Sequence, residues 1–142
     1  IICAYFYNKM SESWRKKLNK LIKEKESASF SKNLTKVATL CNVIGRLLFE
    51  NGFHKESIEQ FEEEAKIYLD QNKKMQLGKT YHVISDVYCD SGDLDLALKY
   101  AQKFYSFSRD EGSSVEIQRA TATLGRVYYL MGSESKKEKD RS

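Results

Sequence analysis

Proline is missing altogether and glycine is scarce, seven in 142 residues, which with the many Lys, Glu, Leu and Ala residues favours helix over strand. No hydrophobic run is long: the longest, Ile1-Ile2-Cys3-Ala4-Tyr5-Phe6-Tyr7, has seven residues where a membrane span needs about 20, which excludes a transmembrane helix. It also lacks a charged segment before it and a small-residue cleavage site after it, so it does not read as a signal peptide. The three cysteines, Cys3, Cys41 and Cys89, are too widely spaced for a disulfide or zinc framework, which suits a reducing compartment. Charge of one sign is lacking too. Twenty-four Lys and Arg against twenty Asp and Glu leave +4, too mild and mixed to mark an electrostatic nucleic-acid binder.

Chemistry is equally thin. The two histidines, His54 and His82, fall in no metal-ligand spacing, and there is no Cys-x-x-Cys pair, glycine-rich phosphate loop or Gly-x-Ser-x-Gly elbow. No cofactor, metal site, catalytic residue or small-molecule ligand is expected, and the chain reads as a non-enzyme.

Helical periodicity runs through what is present. Trp14, Leu18, Leu21 and Ile22 form one apolar stripe of an amphipathic helix from Ser11 to about Glu26. Arg15, Lys16, Lys17, Lys20, Lys23 and Lys25 decorate the rest, a solubilising outer face rather than a nucleic-acid surface. Ser27 to Ser31 breaks the pattern. A second stripe follows, Leu34, Val37, Ala38, Cys41, Ile44, Gly45 and Leu48, stopping at Asn51-Gly52, and a third, Ser57, Ile58, Phe61, Ala65, Tyr68 and Leu69.

The chain then repeats itself at intervals of 40. Gly52, Gly92 and Gly132 align, as do Ile44, Ile84 and Leu124; Leu48, Tyr88 and Tyr128; Leu47, Val87 and Val127; the small residues Gly45, Ser85 and Gly125; and the pair Ser57 and Ala97. A two-helix unit of this size cannot bury its apolar face alone, so units must stack. The small residues are expected where the second helix approaches the first, the large ones between units, and Tyr81, Tyr88, Tyr128 and Tyr129 in the core. These columns resemble the tetratricopeptide repeat (TPR), with two departures: no repeat-ending proline, and a period of 40 rather than about 34. The expected fold is all-α, a TPR-type helical-hairpin solenoid, an α-α superhelix of 40-residue repeats.

The expected organisation is an unstructured upstream segment 1–9 before a natural start at Met10, a capping helix within 10–32, and a TPR array over 33–132. Repeat 1 covers about 36–73, repeat 2 about 76–112, and the first helix of repeat 3 about 115–132. Residues 133–142, charged throughout and without an apolar residue, read as a disordered tail, as if the array were cut short.

In such a solenoid the concave face is lined by the first helix of each repeat. The register puts Asn42, Arg46, Phe49, Lys79, His82, Asp86, Arg119 and Arg126 there, together with Cys89, Ala122 and Tyr129. Four basic groups against Asp86 leave that groove net positive, suited to an acidic or carboxylate-terminated peptide. Glu59, Glu62, Glu63 and Glu64 read chiefly as a solvated helix face. Cys41 and Cys89 read as buried structural thiols.

Two stretches go beyond the generic repeat. Leu40-Cys41-Asn42-Val43-Ile44-Gly45-Arg46-Leu47-Leu48, followed by Gly52 and Glu56-Ser57-Ile58-Glu59-Gln60-Phe61, resembles the opening of the Tonsoku-like protein family. Ile117-Gln118-Arg119-Ala120-Thr121-Ala122-Thr123-Leu124-Gly125-Arg126 is similar to the same family's third-repeat segment, and the resemblance spans roughly residues 10–132. It implies a nuclear scaffold, with cytoplasmic presence open, acting in homologous-recombination repair of stalled replication forks. The implied partners are a dedicated repair-scaffold protein, histones or histone chaperones, and replication-fork proteins, with neither membrane nor direct nucleic acid among them. A histone tail is basic, so of the two faces Glu59, Glu62 and Glu63 suit it better than the positive groove. The alternative is a cytoplasmic TPR adaptor of the signalling or cell-polarity type that binds acidic peptides.

Overall fold

The computed structural model describes residues 11–141, which form six α-helices: α1 Glu12–Phe30, α2 Leu34–Glu50, α3 His54–Asp70, α4 Lys74–Ser91, α5 Leu94–Glu111 and α6 Ser114–Arg141. Expectations about segment 1–9, Met10 and Cys3 lie outside the described residues. The all-α helical-hairpin fold is as expected, and so is the period: α2, α4 and α6 begin at 34, 74 and 114, and α3 and α5 at 54 and 94. The helices divide between two compact units, one ending at Gln71 and the other starting at Asn72.

The turns repeat at half that interval. Lys32, Gly52, Asn72, Gly92 and Gly112, each 20 residues after the last, all have positive φ, between 54° and 86°. Each reverses the chain between consecutive helices. Gly52 and Gly92 take this left-handed conformation without a Cβ clash, whereas Lys32 and Asn72 adopt it with a side chain in place, which is why composition alone does not reveal those two turns. Ser11, Asn33 and Asp93 cap α1, α2 and α5 by accepting the backbone N–H three residues on, from Trp14, Lys36 and Leu96.

In the first unit α1 lays its stripe on α2. Leu18 is buried against Ile44, Leu47 and Leu48, with Trp14, Leu21, Ile22 and Phe53 around them. Ala28, Val37, Leu40 and Cys41 form a second cluster with Leu21 and Ile67. Ala28 is buried within a helix that continues to Phe30, so the Ser-rich 27–31 stretch does not break α1 at Glu26 as its composition predicts. Only its last residue, Ser31, serves as the cap, its N–H returning to the Ser27 carbonyl.

The α2–α3 hairpin closes where Gly45 meets Phe61. A Cβ on Gly45 would lie 2.8 Å from the Phe61 ring, so the large residue of α3 occupies the volume the glycine leaves. The second unit solves the same position the other way round. In the α4–α5 hairpin Ser85 stands for Gly45 and the small, fully buried Ala101 for Phe61, and the Ser85 hydroxyl donates to the Ala97 carbonyl at 2.8 Å. Phe104, one turn later on α5, supplies the missing bulk and lies near Gly78. Tyr81, Tyr88, Tyr100 and Phe107 form a half-buried aromatic group with ring centroids 5.6–5.8 Å apart.

α6 packs on this hairpin through Ala120, Thr123 and Val127, with Val127 joining Cys89, Ala97 and Ala101. Here the sequence expectation is corrected three times. α6 runs unbroken through Gly132 to Arg141, so Gly132 is no turn and 133–141 is helix rather than disordered tail. The reason is local: 133–141 is rich in Lys and Glu, good helix formers that need no apolar face to extend an existing helix. Gly125 has no atom within 4 Å of its missing Cβ, because no second helix of this unit lies against it. For the same reason Tyr128 and Tyr129 are not core; they are 54% and 75% exposed.

The contrast between equivalent glycines is measurable. Gly45→Ala should cost about 1–3 kcal/mol by overpacking against Phe61, whereas Gly125→Ala, in open helix, should gain about 0.5–1 kcal/mol. Urea unfolding of the whole chain, read by circular dichroism, checks both signs.

Candidate functional site

The residues expected on the concave face divide between the two units. In the first unit Asn42, Arg46 and Phe49 all lie on α2. Arg46 donates from Nε to Asn42 Oδ1 at 2.9 Å, and Asn42 in turn donates to the Glu64 carboxylate of α3 at 3.2 Å. Glu64 is therefore not part of a solvated acidic face: it is buried on the hairpin's inner side, and it pushes the neighbouring Tyr68 phenol upward, second to burial itself. Phe49 packs edge-on against the His54 ring, centroids 5.6 Å apart.

Lys25 corrects the sequence reading in the same unit. Its spacing assigns it to the basic outer face of α1, yet it is buried, donating to Gln60 Oε1 at 2.9 Å and pairing with Glu63 Oε2. Glu63 is thus engaged internally, and of the acidic trio proposed for a basic partner only Glu59 and Glu62 keep their carboxylates away from this pair. The pair also sits beside Cys41. Burial pushes that thiol up to about 12, the Lys25 ammonium opposing and the Glu63 carboxylate reinforcing the shift. Cys89, expected in the groove, is instead buried with Ala97, Ala101 and Val127, and burial raises it as well.

The second unit brings its expected residues together. His82 and Asp86 on α4 face Arg119, Ala122, Thr123 and Arg126 on α6 across an open depression of about 380 Å³. The heptad-like steps 82–86 on one helix and 119–123–126 on the other put each set on one face. Arg126 Nη1 donates to Asp86 Oδ1 at 3.0 Å, and the second Asp86 oxygen lies 3.5 Å from His82 Nε2. The other ring nitrogen of His82, Nδ1, is 3.0 Å from the Thr123 hydroxyl, which also lies 2.9 Å from the Arg119 carbonyl. Arg119 pairs with Glu116 of its own helix at 3.1 Å. The Phe104 ring of α5 backs His82 at 5.0 Å between centroids. Lys79 is exposed on α4 and takes no part in the depression.

Thr123 is the member that sequence reasoning misses. It occupies the groove column only because α6 stands where it can meet His82, and a threonine in a helix signals nothing by itself. Among the described residues no group of three His, Cys, Asp or Glu could hold a metal, and no helix is long and apolar enough to cross a membrane. The depression offers guanidinium donors, a hydroxyl and an imidazole, with no nucleophile activated beside them. What it can do is bind.

No family model matches the chain. Among curated proteins it is similar to the Tonsoku-like protein of Drosophila melanogaster, 31% identical over 111 residues, and to that of Bos taurus, 25% identical over 116 residues. These matches take in 78% and 82% of this chain and 8% of each relative, so the chain spans a small part of their length. It is also 32% identical over 68 residues to the human tetratricopeptide repeat protein 29, covering 48% of this chain and 14% of that protein. With the fold, these relatives make the chain a TPR-type protein-interaction scaffold.

Removing the Lys25 ammonium should leave Gln60 and Glu63 without their shared donor. Lys25→Ala is expected to cost about 1–3 kcal/mol, seen as a lower urea midpoint, while Lys16→Ala, from an exposed pair with Glu12, should change nothing measurable. The thiols give a second check. At pH 8 iodoacetamide should leave Cys41 unmodified under conditions that fully alkylate a denatured control, because the thiolate is disfavoured below about pH 12 and the sulfur is enclosed; peptide mapping locates the label, and rapid native alkylation of Cys41 would contradict this packing.

Proposed function

We propose that this chain, a relative of the Tonsoku-like proteins, serves as a docking segment of a nuclear scaffold for repair at stalled replication forks. It acts by holding a partner's acidic or carboxylate-terminated peptide in the depression between α4 and α6. The observation that carries this reading is the convergence of Arg119, Arg126, His82 and Thr123 on one open face. Guanidinium forks recognise carboxylates by two parallel N–H bonds, and a hydroxyl and an imidazole beside them add directional contacts to peptide groups. The similarity to Tonsoku-like proteins supports the repair setting and the nuclear location, and it points to replication-fork proteins, histones or histone chaperones as the partner class. A basic histone tail does not suit two arginines; if one docks on this chain, the exposed Glu59 and Glu62 on α3 are the fitting groups.

The test is an affinity capture from nuclear extract with the full 142-residue chain, compared with the same chain carrying Arg46→Glu, Arg119→Glu and Arg126→Glu. Recovery of replication-fork and histone-chaperone proteins by the first bait and their loss from the second is the expected result. Capture of cytoplasmic polarity proteins instead, or a set of proteins the charge reversals leave intact, would overturn it.

A further inference from the structure

Both arginines of the depression already hold a carboxylate, but not in the same way. Arg119 is paired within α6 to Glu116, whose side chain is 15% exposed and whose second oxygen is buried without a hydrogen-bond partner. That carboxylate is fixed by its surroundings. Arg126 is paired across the depression to Asp86 of α4, and this pair is open to solvent, the side chains 51% and 36% exposed. The bond is single: one N–H, from Nη1, to one oxygen, Oδ1. The guanidinium has four further N–H groups, and its geometry matches a carboxylate that arrives edge-on and takes two at once.

Asp86 also has a second partner. Its Oδ2 lies 3.5 Å from His82 Nε2. The Thr123 hydroxyl has one proton to give, and when it goes to His82 Nδ1 the ring carries its hydrogen on Nε2, directed at Asp86. Loss of Arg126 therefore leaves Asp86 hydrogen-bonded rather than stranded.

We propose that Asp86 is an internal stand-in for the ligand: it occupies Arg126 in the unbound chain, and a partner's Asp, Glu or C-terminal carboxylate displaces it there, Asp86 staying with His82. This rests on the groove reading above and deepens it by naming the residue that sets affinity. The exchange replaces a single, solvated hydrogen bond by a paired one, and exposed ion pairs of the first kind contribute little, so displacement is inexpensive. Asp86 also rejects weak competitors. A neutral amide or a lone backbone carbonyl gains less from Arg126 than the carboxylate it would have to expel, so the site selects for a formal negative charge.

A labelled pentaglutamate peptide, with pentaglutamine as control, is titrated against the full chain by fluorescence anisotropy, using wild type, Asp86→Asn and Arg126→Gln. Asp86→Asn keeps the shape and removes the charge, and is expected to tighten pentaglutamate binding about fivefold while narrowing the discrimination against pentaglutamine; Arg126→Gln is expected to abolish it. Wild-type binding that Asp86→Asn leaves unchanged or weakens overturns the stand-in role and leaves the groove reading intact. Binding by neither wild type nor Asp86→Asn overturns both. A second measurement needs no variant: the side-chain carboxyl resonance of Asp86 in the wild-type chain shifts on saturation with pentaglutamate, and an unmoved resonance at saturation means that Asp86 is not displaced.

Discussion

A helix of 17 or 18 residues closed by a short turn with one left-handed residue is the constraint on which the rest of this structure depends. It fixes where every side chain of α2 to α5 points, because residues 40 apart then occupy equivalent places on equivalent helices. The 20-residue step is the more basic interval, and the 40-residue sequence repeat follows from it because alternate helices do different work. Helices beginning at 34, 74 and 114 carry the small residue and the candidate groove residues; those beginning at 54 and 94 carry the bulk that fills against the small residue. Five turns obey the interval with only three glycines among them, so backbone geometry is kept where residue identity is not.

This explains which parts of the fold are legible in the sequence. Apolar columns at one spacing reveal the helices, since periodicity reports a buried face directly. Gly52 and Gly92 reveal their turns because glycine is the residue that costs least at positive φ. Lys32 and Asn72 do not, and Ser27 to Ser31 misleads: Ala28 within that stretch is buried on the core, and tertiary packing outweighs the low helix propensity of its serine neighbours. Gly132 misleads in the opposite sense. It lies in the turn column, but a turn there is a response to a second helix that must be reached, and without one in this unit the helix simply continues.

Single side chains are harder to place than faces. Lys25 and Glu64 belong by composition to solvated charged runs, yet each is buried, because each has a partner on another helix: Gln60 and Glu63 for the lysine, Asn42 for the glutamate. A charged group stays inside only when its hydrogen-bonding capacity is met, and the residues that meet it lie 22 to 38 positions away in the chain. No local pattern encodes that. The His82–Asp86 step, by contrast, is a local i,i+4 pair, and its meeting with Arg126 follows from the repeat interval itself, since the two partners of the ion pair are 40 residues apart.

Formal charge therefore says less about a binding face than the pairing of its charges does. Counting residues makes the groove positive, but Arg119 and Arg126 in the second unit and Arg46 in the first are each hydrogen-bonded to a neighbour already. The attraction such a face exerts at long range is set by net charge, whereas the contact it makes at short range is set by which internal partner can be given up. Arg119 is tied to a carboxylate that burial holds in place, and Arg46 to an amide that is itself tied to buried Glu64. Arg126 alone of the three faces a half-exposed carboxylate with another hydrogen-bond partner at hand. Specificity at this face then comes less from adding positive charge than from the one negative charge it already contains, since a ligand must outdo Asp86 in order to stay.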